Sequence, residues 1–153
     1  MQKSVLEYLE NSAEKFPDKI VFADEAEEIT YRDFRKEARA VATGLAKASQ
    51  TARRKPVVVF IERNIRSLIG FFGVIYSGNF YVPVDCQMPA KRIELIFDTL
   101  KPVAVITTES TRKIMDRVEF KGPVLALEEL KETPVQEEVL NDISRREIHF
   151  CVC

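Results

Sequence analysis

The stretch PVVVFIERNIRSLIGFFGVIYSGNFYVPVD, residues 56–85, decides the fold. It opens on an unbroken apolar run, 56–61, rich in β-branched side chains, as expected of a strand covered on both faces. Asn64 is a good N-cap for a helix through about Ser77, and Gly78 follows where a C′ residue must take φ > 0. Phe80-Tyr81-Val82-Pro83-Val84 then predicts a second strand, with Pro83 at its end or on an edge. A strand, a helix and a strand in such close succession imply a right-handed crossover between parallel neighbours.

Downstream the rhythm continues. Pro89 suits the first turn of a helix through about Leu100, with Ile93, Ile96, Phe97 and Leu100 turned inward. Residues 103–107 predict a buried strand, 110–118 a short helix, and 124–127 another strand after the Gly122-Pro123 turn. Upstream, Val5, Leu6, Leu9, Ala13 and Phe16 stand at helical spacing, closed by Pro17-Asp18. Residues 20–23 and 28–31 read as two short strands around an acidic turn. Thr30 with Asp33 is a capping-box pattern, opening a helix whose buried stripe is Phe34, Ala38, Val41, Ala42 and Leu45.

The expected fold class is α/β. A mainly parallel sheet has strands near 20–24, 56–61, 80–84, 103–107 and 124–127, with helices on its faces. Residues 1–127 form the organised unit and 128–153 a weakly specified tail. In that tail Glu128, Glu129, Glu132, Glu137 and Glu138 predict a solvated loop or helix face.

Composition narrows the function classes. With 153 residues and 46% hydrophobic content, the chain is one domain's worth with enough apolar material for a core. Its 23 Lys+Arg against 24 Asp+Glu lack the basic excess of a nucleic-acid binder. The longest apolar stretch, 68–76, is far short of the ~20 residues a membrane span needs. The first residues lack an apolar signal region, and the three cysteines show no disulfide framework, so a reduced, cytoplasmic protein is expected.

Chemistry-bearing motifs are scarce. Gly73 and Gly78 have the glycine spacing of a phosphate loop, but no lysine follows. They also lie at a helix C-terminus, the wrong end for an anion. Helix packing and a C-cap explain both. His149, Cys151 and Cys153 would share one strand face, yet three ligands are one short of a structural zinc site. Cys86 has no histidine to activate it. Arg53-Arg54-Lys55 reads as a solvated loop. Asp85, at a strand's C-terminal end, stands where open α/β sheets bind ligands, and equally well caps the turn before Pro89. No catalytic, cofactor-binding or metal-ligating constellation emerges.

Two segments carry a resemblance. Ile29-Thr30-Tyr31-Arg32-Asp33-Phe34, with the helix ending Ala42-Thr43-Gly44-Leu45, resembles the first core motif of adenylate-forming enzymes. Tyr76-Ser77-Gly78-Asn79-Phe80-Tyr81-Val82-Pro83-Val84-Asp85, then Pro89 and Arg92-Ile93, is similar to their second. Residues 96–107 continue the likeness, which spans roughly 3–127. The Val-Pro-Val-Asp form points toward amino-acid-activating members: adenylation domains of non-ribosomal peptide synthetases and D-alanine–carrier-protein ligases. Thr30, Tyr31, Phe34, Gly78, Tyr81, Pro83, Asp85, Pro89 and Arg92 are the family-motif residues, expected to serve the framework. Cys86 stands where the family usually has proline, and Tyr76 where it often has lysine.

The resemblance implies an N-terminal part of an enzyme that joins a carboxylate to ATP, with magnesium, giving an acyl adenylate and pyrophosphate. The acyl group then passes to a carrier protein's thiol. The family's phosphate loop, ATP-binding acids and late lysine have no counterpart in this sequence. The chain is therefore expected to bind no cofactor and to be inactive alone, as a fragment, half of a split enzyme completed by a second chain, or a repurposed scaffold. Residues 65–76 are apolar nearly all round, so an exposed surface on that helix, covered by self-association, is also expected.

Overall fold

The computed structural model describes residues 4–148. Helix α1 (Val5–Lys15) leads to strands β1 (Ile20–Ala23) and β2 (Glu28–Thr30), then to helix α2 (Tyr31–Ala48). Strand β3 (Pro56–Ile61), helix α3 (Ile65–Tyr76), strand β4 (Phe80–Asp85), helix α4 (Ala90–Leu100) and strand β5 (Ala104–Thr107) follow. A 3₁₀ turn (Arg112–Arg117), strand β6 (Val124–Ala126) and helices α5 (Leu127–Lys131) and α6 (Glu137–Ile148) complete the order.

The main sheet runs β4-β3-β5-β6, and every pair in it is parallel. The β3 run obeys the period-two rule of a strand covered twice. Val57 and Val59 pack with Leu45, Ile69, Leu127 and Leu140 on one face. Val58 and Phe60 pack with Val84, Ile93, Phe97 and Val118 on the other. Helices α1, α2, α3, α5 and α6 thus cover the first face, and α4 with the 3₁₀ turn the second.

One expected strand belongs elsewhere. Residues 20–23 do not join the parallel sheet: β1 pairs antiparallel with β2 as a separate hairpin. The acidic turn explains this, because Asp24 closes it locally, its N–H donating to the Glu27 carbonyl at 2.9 Å.

The helix caps follow from the local chemistry. Thr30 Oγ1 accepts from Asp33 N at 3.2 Å and donates to the Asp33 carboxylate at 2.9 Å, opening α2. Asn64 Oδ1 accepts from Ser67 N at 3.2 Å at the start of α3. Pro89 is the N-cap of α4 rather than a first-turn residue. The two glycines of the 73–78 segment have separate tasks. A Cβ on Gly73 would overlap Val41, so its absence lets α3 lie against α2. Gly78 sits at φ 77° just past the Ser77 C-cap, a region other residues enter at a cost.

Strand β4 is a sheet edge. Phe80 N donates to Lys55 O at 3.2 Å, toward β3. By alternation Tyr81, Pro83 and Asp85 turn their backbone outward, so the missing N–H of Pro83 falls on the open edge and blunts it.

Two further expectations are modified. Helix α3 does not lie open on most sides: Ile65, Ile69, Val74 and Tyr76 are buried, with α2 and α1 covering it, while Leu68, Phe71, Phe72 and Ile75 stay partly exposed. Burial, then the hydrogen bond to Glu10, pushes the Tyr76 hydroxyl far above its ordinary range, so it remains a donor. Nor are residues 128–148 a loose tail. They form α5 and α6, whose Leu130, Leu140 and Ile143 join the main core. Their acids are partly engaged: Glu137 pairs with Arg39, and Glu128 faces Arg66 at 3.6 Å. The His149, Cys151 and Cys153 group lies outside the described residues.

Candidate functional site at the strand C-terminal ends

A parallel sheet delivers all its strand C-termini to one rim, and here β3, β4 and β5 end on polar groups. Glu62 follows β3, Asp85 closes β4, and Thr108 follows β5. Because β5 is a neighbour of β3, Glu62 and the 108–111 loop meet. The Glu62 carboxylate accepts from the Ser110 hydroxyl at 2.5 Å, the Thr108 hydroxyl at 3.1 Å and Asn64 Nδ2 at 3.4 Å. Its backbone is held too: Glu62 N donates to Ser67 Oγ at 2.9 Å, and Ser67 Oγ donates to Glu62 O at 2.7 Å. Thr108 N donates to Thr111 Oγ1 at 2.8 Å, so the loop closes on itself. The Ser110 hydroxyl first, then the Thr108 hydroxyl and the Asn64 amide, hold the Glu62 carboxyl below its usual range against an opposing push from burial.

Beside this knot lies a groove of about 450 Å³ between the β1–β2 hairpin and α3, with Phe22, Leu68, Phe71 and Pro83 in its walls. Asp24 stands at its polar end. Asp24 Oδ2 accepts from Ile65 N at 2.9 Å, while Oδ1 accepts from Ala26 N at 2.8 Å and Glu27 N at 2.9 Å. The Ile65 N–H is the largest reason that the Asp24 carboxyl titrates below its ordinary value, followed by those of Ala26 and Glu27. A helix N-terminus is a natural anion position. At α3 the chain fills it with its own carboxylate.

The family-motif residues do not converge on this rim. Thr30, Tyr31 and Phe34 gather at the start of α2, where Phe34 is fully buried between Phe22 and Phe72, with ring centroids 5.0 and 5.1 Å away. Gly78 lies at the opposite end of the sheet, before β4. Tyr81 stacks on Phe71 at 4.3 Å. Pro83 lines the groove, and Asp85 accepts from Gln87 N at 2.8 Å, turning the chain toward Pro89. Arg92 is exposed on α4, on the far face. Cys86 is a free thiol partly buried against the second core.

Sequence reasoning passed over Glu62, Thr108, Ser110, Thr111 and Asp24. A signal existed: the run Thr107-Thr108-Glu109-Ser110-Thr111 places hydroxyls directly after a buried strand. Its partner Glu62 is identified only by the β3–β5 adjacency. The arrangement is a set of satisfied acceptors, suited to fixing two loops at the rim. Among the described residues no three His, Cys, Asp or Glu side chains are grouped to hold a metal ion.

Comparisons with known proteins agree with this architecture. A D-alanine–D-alanyl carrier protein ligase of Listeria welshimeri is 34% identical over 109 residues, 71% of this chain and 21% of the ligase. Tyrocidine synthase 1 of Brevibacillus parabrevis is 30% identical over 128 residues, 83% of this chain and 12% of the synthase. The chain thus spans about a fifth or less of the length of these relatives. In fold it is similar to the crystal structure of VinN, with a TM-score of 0.74 at 18% identity, covering 94% of this chain and 37% of that one. The N-terminal subdomain of Klebsiella oxytoca NpsA superposes with a TM-score of 0.73 at 21% identity, covering 88% and 34%. The family model for the AMP-binding enzyme matches residues 9–148, from the middle of α1 to the end of α6, and the chain therefore belongs to that family.

Proposed function

We propose that this chain supplies the N-terminal α/β portion of an ATP-dependent ligase that activates an amino acid as its adenylate and loads it onto a carrier protein. By itself the chain does not adenylate. The likeness to D-alanine–D-alanyl carrier protein ligases supports the amino-acid and carrier-protein half of this reading. The observation that carries the second half is the commitment of the rim. Asp24, against the α3 N-terminus, and Glu62, at the end of β3, spend their oxygens on backbone N–H groups and on hydroxyl and amide donors of the framework.

Adenylyl transfer needs preorganised positive charge around the phosphates and a position for the departing pyrophosphate. At this rim α3 presents its N-terminus to Asp24 instead. Neither do the rim residues make a ready cage for magnesium. In this reading the chain's contribution is positional: the hairpin, the α3 N-terminus and the 108–111 loop form a rigid ledge, and the phosphate-handling groups come from outside these 153 residues.

The test is amino-acid-dependent exchange of labelled pyrophosphate into ATP, run with D-alanine and the proteinogenic amino acids. The pure chain should show no exchange above blank. Losing a single electrostatic donor typically costs ~10²–10³ in rate, so losing the set removes the signal. Robust exchange by the chain alone would refute the reading. Exchange that appears only when a separately expressed remainder of a carrier-protein ligase is added would place the chain as half of a split enzyme.

A further inference from the structure

The two edges of the main sheet are built differently. Strand β6 is three residues long and passes at once into α5, so it offers little backbone to pair with. Strand β4 has six residues, and no charged side chain stands between Phe80 and Val84. Exposed edges are ordinarily guarded by shortness or by charge. On the second face of the sheet Val82 packs against the core, but Phe80 stays 49% exposed. On the first, Tyr81 stacks on Phe71 at 4.3 Å and is still 38% exposed, and Pro83 is exposed in the wall of the groove beside α3. This edge is apolar, and incompletely covered on both sides.

The backbone of β4 decides what can cover it. Tyr81 turns both its N–H and its C=O outward and Pro83 its C=O alone, while the Asp85 carbonyl already accepts from Met88 N at 3.1 Å. A second copy is a poor occupant. In every antiparallel two-fold register centred on Tyr81, Val82 or Pro83, a carbonyl of each copy faces a position with no free N–H. Pro83 has none, and Asn79 N is held by the Val74 carbonyl at 3.2 Å. A strand of different sequence meets the proline once and can place an N–H opposite it. The chain spans about a fifth of the length of the carrier-protein ligase it matches, so a ligase that contains this portion has most of its backbone elsewhere. Resting on the ligase reading, we propose that the open edge of β4 receives an extended, apolar segment from the remainder of the ligase. The segment pairs with Tyr81 and Pro83 and seats a side chain among Phe22, Leu68 and Phe71, in the groove of about 450 Å³.

Synthetic peptides of about 10 residues, overlapping through the part of the Listeria welshimeri ligase outside its matched segment, supply the probe. Each is titrated into the isotopically labelled full chain, and amide hydrogen exchange is read by NMR. In the free chain the Tyr81 N–H should exchange fast, whereas the Val82 N–H, turned toward β3, exchanges slowly. At least one peptide should saturate at or below millimolar concentration and slow Tyr81 about tenfold or more. Tyr81→Pro removes the outward N–H, and Phe80→Lys places a guarding charge on the edge. Each should weaken that peptide about tenfold at unchanged circular dichroism, while Tyr81→Phe binds as wild type. If no peptide protects Tyr81, or a peptide of scrambled order protects it equally, the proposal is overturned. Binding that survives both Tyr81→Pro and Phe80→Lys would overturn it too. So would protection of Tyr81 that arises in the peptide-free chain as its concentration rises, which would make the occupant a second copy. Pyrophosphate exchange plays no part in this readout, so its failure is distinct from failure of the ligase reading.

Discussion

The two faces of the sheet are built to different depths. On one, five helices stack on Val57, Val59, Ala104 and Ile106, and the elements are cross-tied by Arg35–Glu10, Arg39–Glu137, Lys131–Glu37 and Arg53–Asp142. On the other, a single α-helix and a 3₁₀ turn cover Val58, Phe60 and Val105. Surface ion pairs are worth little each, so the difference in strength comes from packing. A thick layer cannot collapse around a lost side chain, whereas a single covering helix can settle inward. The thick face should hold most of the stability, and the thin face should give way first.

Paired truncations test this contrast with the largest effects. Phe34, fully buried between Phe22 and Phe72, and Phe97, which meets Phe120 at 5.4 Å, are the aromatic anchors of the two faces. Phe34→Ala should cost about 4–5 kcal/mol and Phe97→Ala about 3 kcal/mol, read from urea unfolding. Equal losses, or a larger one at Phe97, would break the comparison.

The glycines sharpen it at smaller scale. Gly73→Ala forces a methyl into Val41 across the α2–α3 contact and should cost about 1–3 kcal/mol. Gly78→Ala strains only the backbone at φ 77° and should cost about 1 kcal/mol. A melting midpoint unchanged by Gly73→Ala would mean that the helices of the thick face are not closely packed.

The smallest effect concerns the rim, where the contrast is between framework and free acid. The folded Glu62 carboxyl titrates below its unfolded value, so its contribution is complete above the unfolded pKa and is lost as pH falls through the folded one. Unfolding free energy should therefore drop below about pH 5, and Glu62→Gln should flatten part of that slope while leaving the fold intact. Identical acid slopes in wild type and variant would show that the hydroxyl clamp does not stabilise the rim.

How much of this could be read from the sequence depends on how local the determining interactions are. The unbroken apolar run 56–61, the Asn64 and Thr30 caps and the Gly78 turn are encoded within a few residues, and each is where it was expected. Strands of four residues carry no information about their partners. Thus Ile20–Ala23 was legible as a strand and not as half of a separate hairpin. Leu130, Leu140 and Ile143 were hidden because Pro134 interrupts their pattern and α2 supplies the surface that buries them. The Glu62–Ser110 clamp joins residues 48 apart through the strand order β4-β3-β5, which no local pattern reveals.

The central claim is that the rim's carboxylates belong to the framework, so that the chain alone forms no nucleotide site. Titration of the isotopically labelled chain with magnesium-ATP, followed by amide NMR, tests it most directly. The account predicts no saturable shifts at Glu62, Thr108, Ser110 or the first turn of α3, up to millimolar nucleotide. Saturable shifts confined to those residues, abolished by excess unlabelled ATP analogue and reduced by Glu62→Gln, would contradict it.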